Sequence, residues 1–135
     1  MLDLRADELR AGLVLHLDPI SLKQAGGHHY SPEGFRIPGD HYFLCVLIEG
    51  DDTYWVPLSS KPGELRLKVE RSEKRGHPMW TQVDSYAIAS QSWMAKASAI
   101  VEAATVANER SRRGARNTVT DTGVDIVRKA LKAYL

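Results

Sequence analysis

The chain of 135 residues has one cysteine, Cys45, inside an apolar run, so no disulfide framework can form within it. It has no apolar segment of 18 residues, and its start, with Asp3, Asp7 and Glu8, lacks the basic and apolar parts of a secretory signal. The expectation is a cytoplasmic protein with no membrane contact. Charge of one sign is also missing: the net charge is +1, so the whole molecule has no strong preference for a polyanion. HExxH, paired CxxC, GxSxG, P-loop and GxGxxG sequences are all absent, which leaves zinc hydrolysis, α/β-hydrolase chemistry and nucleotide phosphoryl transfer unsupported. His28 and His29 are adjacent and, with His41 and Cys45, do not form a recognisable tetrahedral ligand set. No metal and no cofactor are expected.

What is present is an ordinary globular composition, 43% hydrophobic and 26% charged, in a chain of single-domain length. The charge is polarised. Residues 1–60 carry nine acidic and four basic side chains, whereas residues 109–135 carry seven basic and three acidic. Such a dipolar surface can steer a polyanion to one face or simply be solvated.

Residues 3–10 read as one or two helical turns, and Gly12 to Asp18 as a first strand that Pro19 ends. Residues 19–40 hold four glycines and three prolines and read as one long loop, which also carries His28, His29, Tyr30 and Arg36. His41 to Glu49 is a continuous apolar run, a buried strand, and Gly50-Asp51-Asp52 turns it into a return strand at Tyr54 to Leu58. Leu65, Leu67 and Val69 alternate with Arg66, Lys68 and Glu70 as a half-buried strand; residues 71–78 form a charged turn. Trp80 to Ala89 reads as a last strand. From Gln91 helical spacing takes over through Trp93, Ala97, Ile100, Val101 and Ala104. Its alanine face is expected to pack within the chain, against residues 123–135. Residues 110–117 break that helix, and Thr122 with Asp125 has the spacing of a cap for a final helix faced by Val124, Val127, Leu131 and Leu135. The expected fold is α+β: a small, mostly antiparallel β-barrel core over residues 11–90 with C-terminal helices over 91–135.

A strand ending in Pro57-Leu58 delivers Ser59, Ser60 and Lys61 into a turn. Two hydroxyls and an ammonium suit a phosphate; Pro, Ser and Gly after a strand also suit a plain turn. This Pro-Leu-Ser-Ser-Lys run, its preceding hairpin and the Gly-rich loop after the first strand resemble the toxin endoribonucleases of the PemK/MazF superfamily, including the ToxN-like branch. Residues 80–93 are loosely similar to that family's later strand.

The resemblance implies an SH3-like barrel, usually a homodimer, that cuts single-stranded RNA without a metal and is restrained by a cognate antitoxin, either protein or RNA. It implies Ser59, Ser60 and Lys61 as catalytic residues. Where the family's second strand begins Arg-Pro this chain has His41-Tyr42, so His41 or Arg36 stands in for the arginine. A histidine serves as acid or base near neutral pH, whereas an arginine supplies only hydrogen bonds and charge. Arg36, His28, His29, Arg66, Lys68 and Trp80 are the candidate RNA contacts. Arg110, Arg112, Arg113 and Arg116 form a second basic cluster, and of Tyr54 and Trp55, which face opposite ways, only one can stack a base in a shared groove. Two further readings stand beside this one: a non-catalytic barrel module that binds protein or nucleic acid, and a CcdB-like toxin that binds a topoisomerase.

Overall fold

The structure, a computed structural model, describes residues 2–30 and 41–132. The first strand, β1, spans Leu13–Leu17. Asp18 then accepts from the Ser21 N–H at 2.8 Å, and Pro19 occupies the first helical position of a short helix, α1 (Pro19–Gln24). The long loop expected over 19–40 is therefore interrupted, first by α1 and then by a two-residue strand, β2 (His28–His29). The Asp-Pro pair was the sequence signal for that helix.

The hairpin forms as its sequence implies, with β3 at His41–Glu49 and β4 at Asp52–Ser59. Pairing holds one register from Phe43↔Pro57 to Cys45↔Trp55 and then shifts before Leu47↔Tyr54. The remaining strands are short: β5 (Leu67–Val69), β6 (Lys74–Arg75), β7 (Ser85–Ala87), β8 (Trp93–Lys96) and β9 (Asn117–Val119). A helical turn, α2 (Pro78–Thr81), two longer helices, α3 (Ala97–Val106) and α4 (Asp121–Leu131), and three 3-10 turns complete the described chain.

Several expectations change here. Trp80 belongs to α2, not to a strand: His77 caps that turn by accepting from the Met79 N–H. Trp93 is in a strand, opposite Trp55, and the alanine-rich helix begins only at Ala97. Leu65 is outside β5, 68% exposed with φ at 61°. The cap of α4 is Thr120, whose hydroxyl accepts from the Gly123 N–H and donates to Glu73.

The protein is α+β, with a large antiparallel sheet and a C-terminal helix, and the sheet is not closed into a barrel. Its strands run β2-β8-β4-β3-β1-β9-β6, and β7 joins β4 to β5 on a branch. Alternation gives this open sheet two apolar faces. Leu13, Leu15, Leu17, Phe43, Cys45, Trp55 and Trp93 form one buried face with Leu22 of α1 and Ile100, Ala103 and Ala104 of α3. Val14, Leu44, Val46, Val56 and Leu58 form the other, with Trp80 of α2 and Val124, Val127 and Leu131 of α4. A sheet with two apolar faces must be covered on both, and here it is the middle layer between α1 and α3 on one side and α2 and α4 on the other. The alanine face of α3 packs within the chain as expected, but on the sheet's first face; α4 is on the other side.

Candidate nucleic-acid site at the end of β4

Pro57 and Leu58 are buried, and the chain emerges at Ser59, which is half-buried, before the exposed Ser60 and Lys61. The Ser59 hydroxyl oxygen accepts from the Lys61 backbone N–H at 3.1 Å and from Arg66 Nη1 at 2.9 Å. A hydroxyl has two lone pairs and one proton, so with both lone pairs engaged its own proton is left to donate outward. Arg66 Nη1 also reaches the Lys61 carbonyl at 3.0 Å, which ties the guanidinium across the turn. Gly63 makes room for it: a Cβ there would meet Arg66 Cδ at 3.1 Å and Nε at 3.2 Å.

Strand pairing adds neighbours that the linear motif hides. Ser59 lies opposite Tyr86 on β7, and Tyr86 lies opposite Lys68 on β5. On the other side the β3–β4 ladder ends at Phe43↔Pro57, and the next like-facing residue on each strand is His41 or Ser59. Residues directly opposed on neighbouring strands share a face. His41, Ser59, Tyr86 and Lys68 therefore form one row across four strands, with Leu58, Ala87 and Val69 on the buried reverse side. Tyr86 was missed in the sequence because only the register of two short strands brings it beside Ser59.

The other candidates distribute unevenly. Trp80 is fully buried: its indole N–H donates to the Thr118 carbonyl at 3.3 Å, and the Lys74 ammonium sits 4.0 Å from its ring centroid. It is a core residue and offers no face to a base, which corrects the expected RNA contact; Trp55 is equally buried. Lys74 itself is buried and donates to Trp80 O, Val83 O and Ser85 Oγ, and its burial pushes it down to about 8. His28 and His29 are on the β2 edge opposite Met94 and Trp93, level with Tyr54 and Trp55 rather than with Ser59. That is about 13 Å back along β4 and two strands aside, so the structure does not bring them to the serines. Burial, then the charges of Lys23 and His28, hold His29 below its usual range. Arg36 lies outside the described residues.

Of the second basic cluster, Arg116 and Arg113 are committed to acids from the opposite end of the chain. Arg116 donates to Asp3 at 2.7 Å and also bonds Glu8 and the Ser111 carbonyl, and Arg113 pairs with Glu8 at 3.2 Å. Burial pushes Glu8 up, but the hydrogen bonds and charge of Arg116 and Arg113 outweigh it and hold the carboxyl below its ordinary value. Asp3 is held low first by the Arg113 backbone N–H; desolvation opposes this next, and the hydrogen bond and charge of Arg116 and the charge of Arg112 add to the lowering. The charge polarity of the sequence is thus used, in part, inside the fold. It does not form a nucleic-acid groove at these two arginines.

Sizeable concavities among the described residues lie away from Ser59. One, about 550 Å³, sits among Arg5, Glu8, Arg113 and Arg116 at the start of β1 and is largely an ion-pair basin. Another, about 510 Å³, is a mainly apolar groove between Tyr30, Val46, Tyr54 and Leu131. The chemistry-bearing row of half-buried His41, Ser59 and Tyr86 and exposed Lys68 runs across strands, which suits a polymer lying along it. Among the described residues no three His, Cys, Asp or Glu side chains group as a metal site, and no helix is long and apolar enough to cross a membrane. No family model, curated protein or solved structure matches the chain.

Proposed function

We propose that this chain is a toxin-like, metal-independent endoribonuclease that cuts single-stranded RNA as one half of a toxin–antitoxin pair. The observation that carries the reading is the Ser59 hydroxyl: both lone pairs are filled from Lys61 N–H and Arg66, and among the described residues its proton has no acceptor, which suits donation to a phosphate oxygen. The reading rests on this site and not on the fold, because the open sheet departs from the closed barrel that the resemblance implies.

The chemistry needs three things: removal of the 2′-hydroxyl proton, stabilisation of charge on the phosphorane oxygens, and a proton for the leaving 5′-oxygen. His41, at the strand end beside Ser59, takes the 2′ proton as the 2′-oxygen bonds to phosphorus. Ser59 donates to a non-bridging oxygen, Lys61 and Arg66 balance its charge, and the P–O5′ bond breaks with a proton delivered from solvent. The products are a 2′,3′-cyclic phosphate and a free 5′-hydroxyl. Ser60, exposed beside them, contacts the adjoining phosphate. A cognate antitoxin, protein or RNA, restrains the chain, and the assembly is a homodimer.

The test is induction of the chain in growing cells beside a Ser59→Ala/Ser60→Ala variant, with total RNA mapped for new 5′ ends. Growth arrest with discrete cuts, both lost in a folded variant, supports the proposal. Arrest without cuts favours a binding toxin, and intact RNA with normal growth removes the ribonuclease reading.

A further inference from the structure

The ribonuclease reading places the scissile phosphate at Ser59 but leaves open how the rest of the RNA lies on the protein. On the face that carries Ser59, three directions lead away. Back along β4 the next like-facing side chains are Pro57 and Trp55, both buried. Across β3 and onto β1 the row passes His41 and reaches its ladder partner Leu17, which is fully buried. Beyond His41, which serves the reacting 2′-hydroxyl, neither direction continues to an accessible polar side chain. In the third direction, across β7 and β5, the row continues as Tyr86 and Lys68.

We infer that single-stranded RNA crosses the sheet edge along Ser59–Tyr86–Lys68, with Tyr86 supporting the nucleotide beside the scissile one and Lys68 pairing with the phosphate beyond it. The inference rests on the ribonuclease reading and extends it to the direction of the substrate. Tyr86 is half-buried, and among the described residues its hydroxyl has no hydrogen-bond partner. Part of this side chain therefore stays accessible, which a stacking platform needs. Lys68 is exposed and forms no ion pair among the described residues, so no described carboxylate competes with a phosphate for it. Neighbouring strands are about 4.8 Å apart, which puts Lys68 about 10 Å from Ser59, and its flexible stem covers the remaining reach to a neighbouring phosphate. Tyr86 acts on the bound strand and not on the reacting atoms, so it is a positioning residue.

The experiment uses a fluorescein-labelled, fully 2′-O-methyl RNA 12-mer, which lacks the attacking hydroxyl and cannot be cut. Its binding is followed by anisotropy against salt, in parallel with cleavage of the unmodified RNA. Tyr86→Ala is expected to weaken binding roughly 5- to 150-fold, the alanine cost of losing one stacked base. Tyr86→Phe, which keeps the ring, is expected to stay within about threefold of wild type. Lys68→Ala is expected to reduce the slope of log affinity against log salt by about 0.7, one single-strand phosphate contact. In cleavage, both alanine variants raise KM and leave kcat nearly unchanged. If wild type cuts RNA and these variants bind and cut as well as it does, the track is overturned and the ribonuclease reading survives. If wild type neither binds nor cuts, both fall. Should Tyr86→Ala fail to fold, Lys68→Glu on an exposed side chain decides the matter: unchanged binding overturns the track.

Discussion

Arg66 Nη1 donates to the Ser59 hydroxyl oxygen at 2.9 Å, and this one contact turns a strand-end serine into an oriented donor. The same nitrogen holds the Lys61 carbonyl, so the guanidinium fixes both ends of the turn that follows β4. A lysine in its place has one ammonium on a flexible stem and lacks the planar fork. Arg66→Lys is accordingly expected to lower RNA cleavage by about 10- to 100-fold, somewhat less than loss of a whole oxyanion donor. Unfolding stability should stay within about 0.5 kcal/mol, as for other partly exposed substitutions. Steady-state cleavage and urea titration, run on the same preparations, separate the two effects.

Of the two expected RNA contacts Trp80 and Lys68, burial leaves only Lys68 on the surface. Trp80→Ala removes a fully buried indole, and urea unfolding is expected to show a loss of about 3–5 kcal/mol. Lys68→Ala should cost less than about 0.5 kcal/mol yet weaken RNA binding. A stable Trp80→Ala protein with lost RNA affinity would contradict the buried placement.

The Arg116 pairs predict acid sensitivity of a definite sign. Glu8 and Asp3 are held below 4.5 and 3.8 in the folded chain, so the unfolded chain binds more protons as pH falls through those values. Their stabilisation is complete above that range and is lost as pH drops through the folded values. Arg116→Met is expected to cost about 2 kcal/mol at pH 7, because it leaves the half-buried Glu8 with Arg113 as its remaining ion-pair partner among the described residues. The fall in stability from pH 5 to pH 3 should be shallower in the variant than in wild type. His16, which burial and then His41 hold below 6.5, adds a loss below pH 6.5 common to both proteins, so the difference between their curves isolates Arg116. Thermal unfolding across that pH range reads it directly.

Leu65 stands in the left-handed region with φ at 61° and with most of its side chain in water. Relief of that conformation outweighs the added backbone freedom of glycine, so Leu65→Gly is expected to stabilise by about 0.5 kcal/mol. A loss of stability would show that Leu65 makes contacts that its exposure does not suggest.

The hairpin was legible because its signals are local: an unbroken apolar run, a Gly-Asp-Asp turn and a return strand ending at Pro57-Leu58. The face of α4 was legible too, since Val124, Val127 and Leu131 repeat at helical spacing. The fate of Trp80 and Trp93 was not. Both sit in short elements whose type is decided by partners, Trp93 by pairing with Trp55 and Trp80 by the His77 cap. The strands β5, β7 and β9 have three residues each, too few for a periodic signal, and they determine both the open sheet and the place of Tyr86. In the site, Ser59 and Lys61 were read from the turn motif. Arg66 was found as a charge, but its bond to Ser59 depends on the path of residues 60–65, which no spacing rule gives.

The most direct measurement is cleavage of a single-stranded RNA by the purified chain in excess EDTA, with the product ends identified and a fully 2′-deoxy strand of the same sequence run beside it. The expected result is discrete cutting of the RNA alone, leaving 2′,3′-cyclic phosphate and 5′-hydroxyl ends, with cutting lost in Ser59→Ala. Cutting that requires a divalent metal, attacks the deoxy strand or survives in Ser59→Ala would contradict the assignment of Ser59 as the phosphate donor.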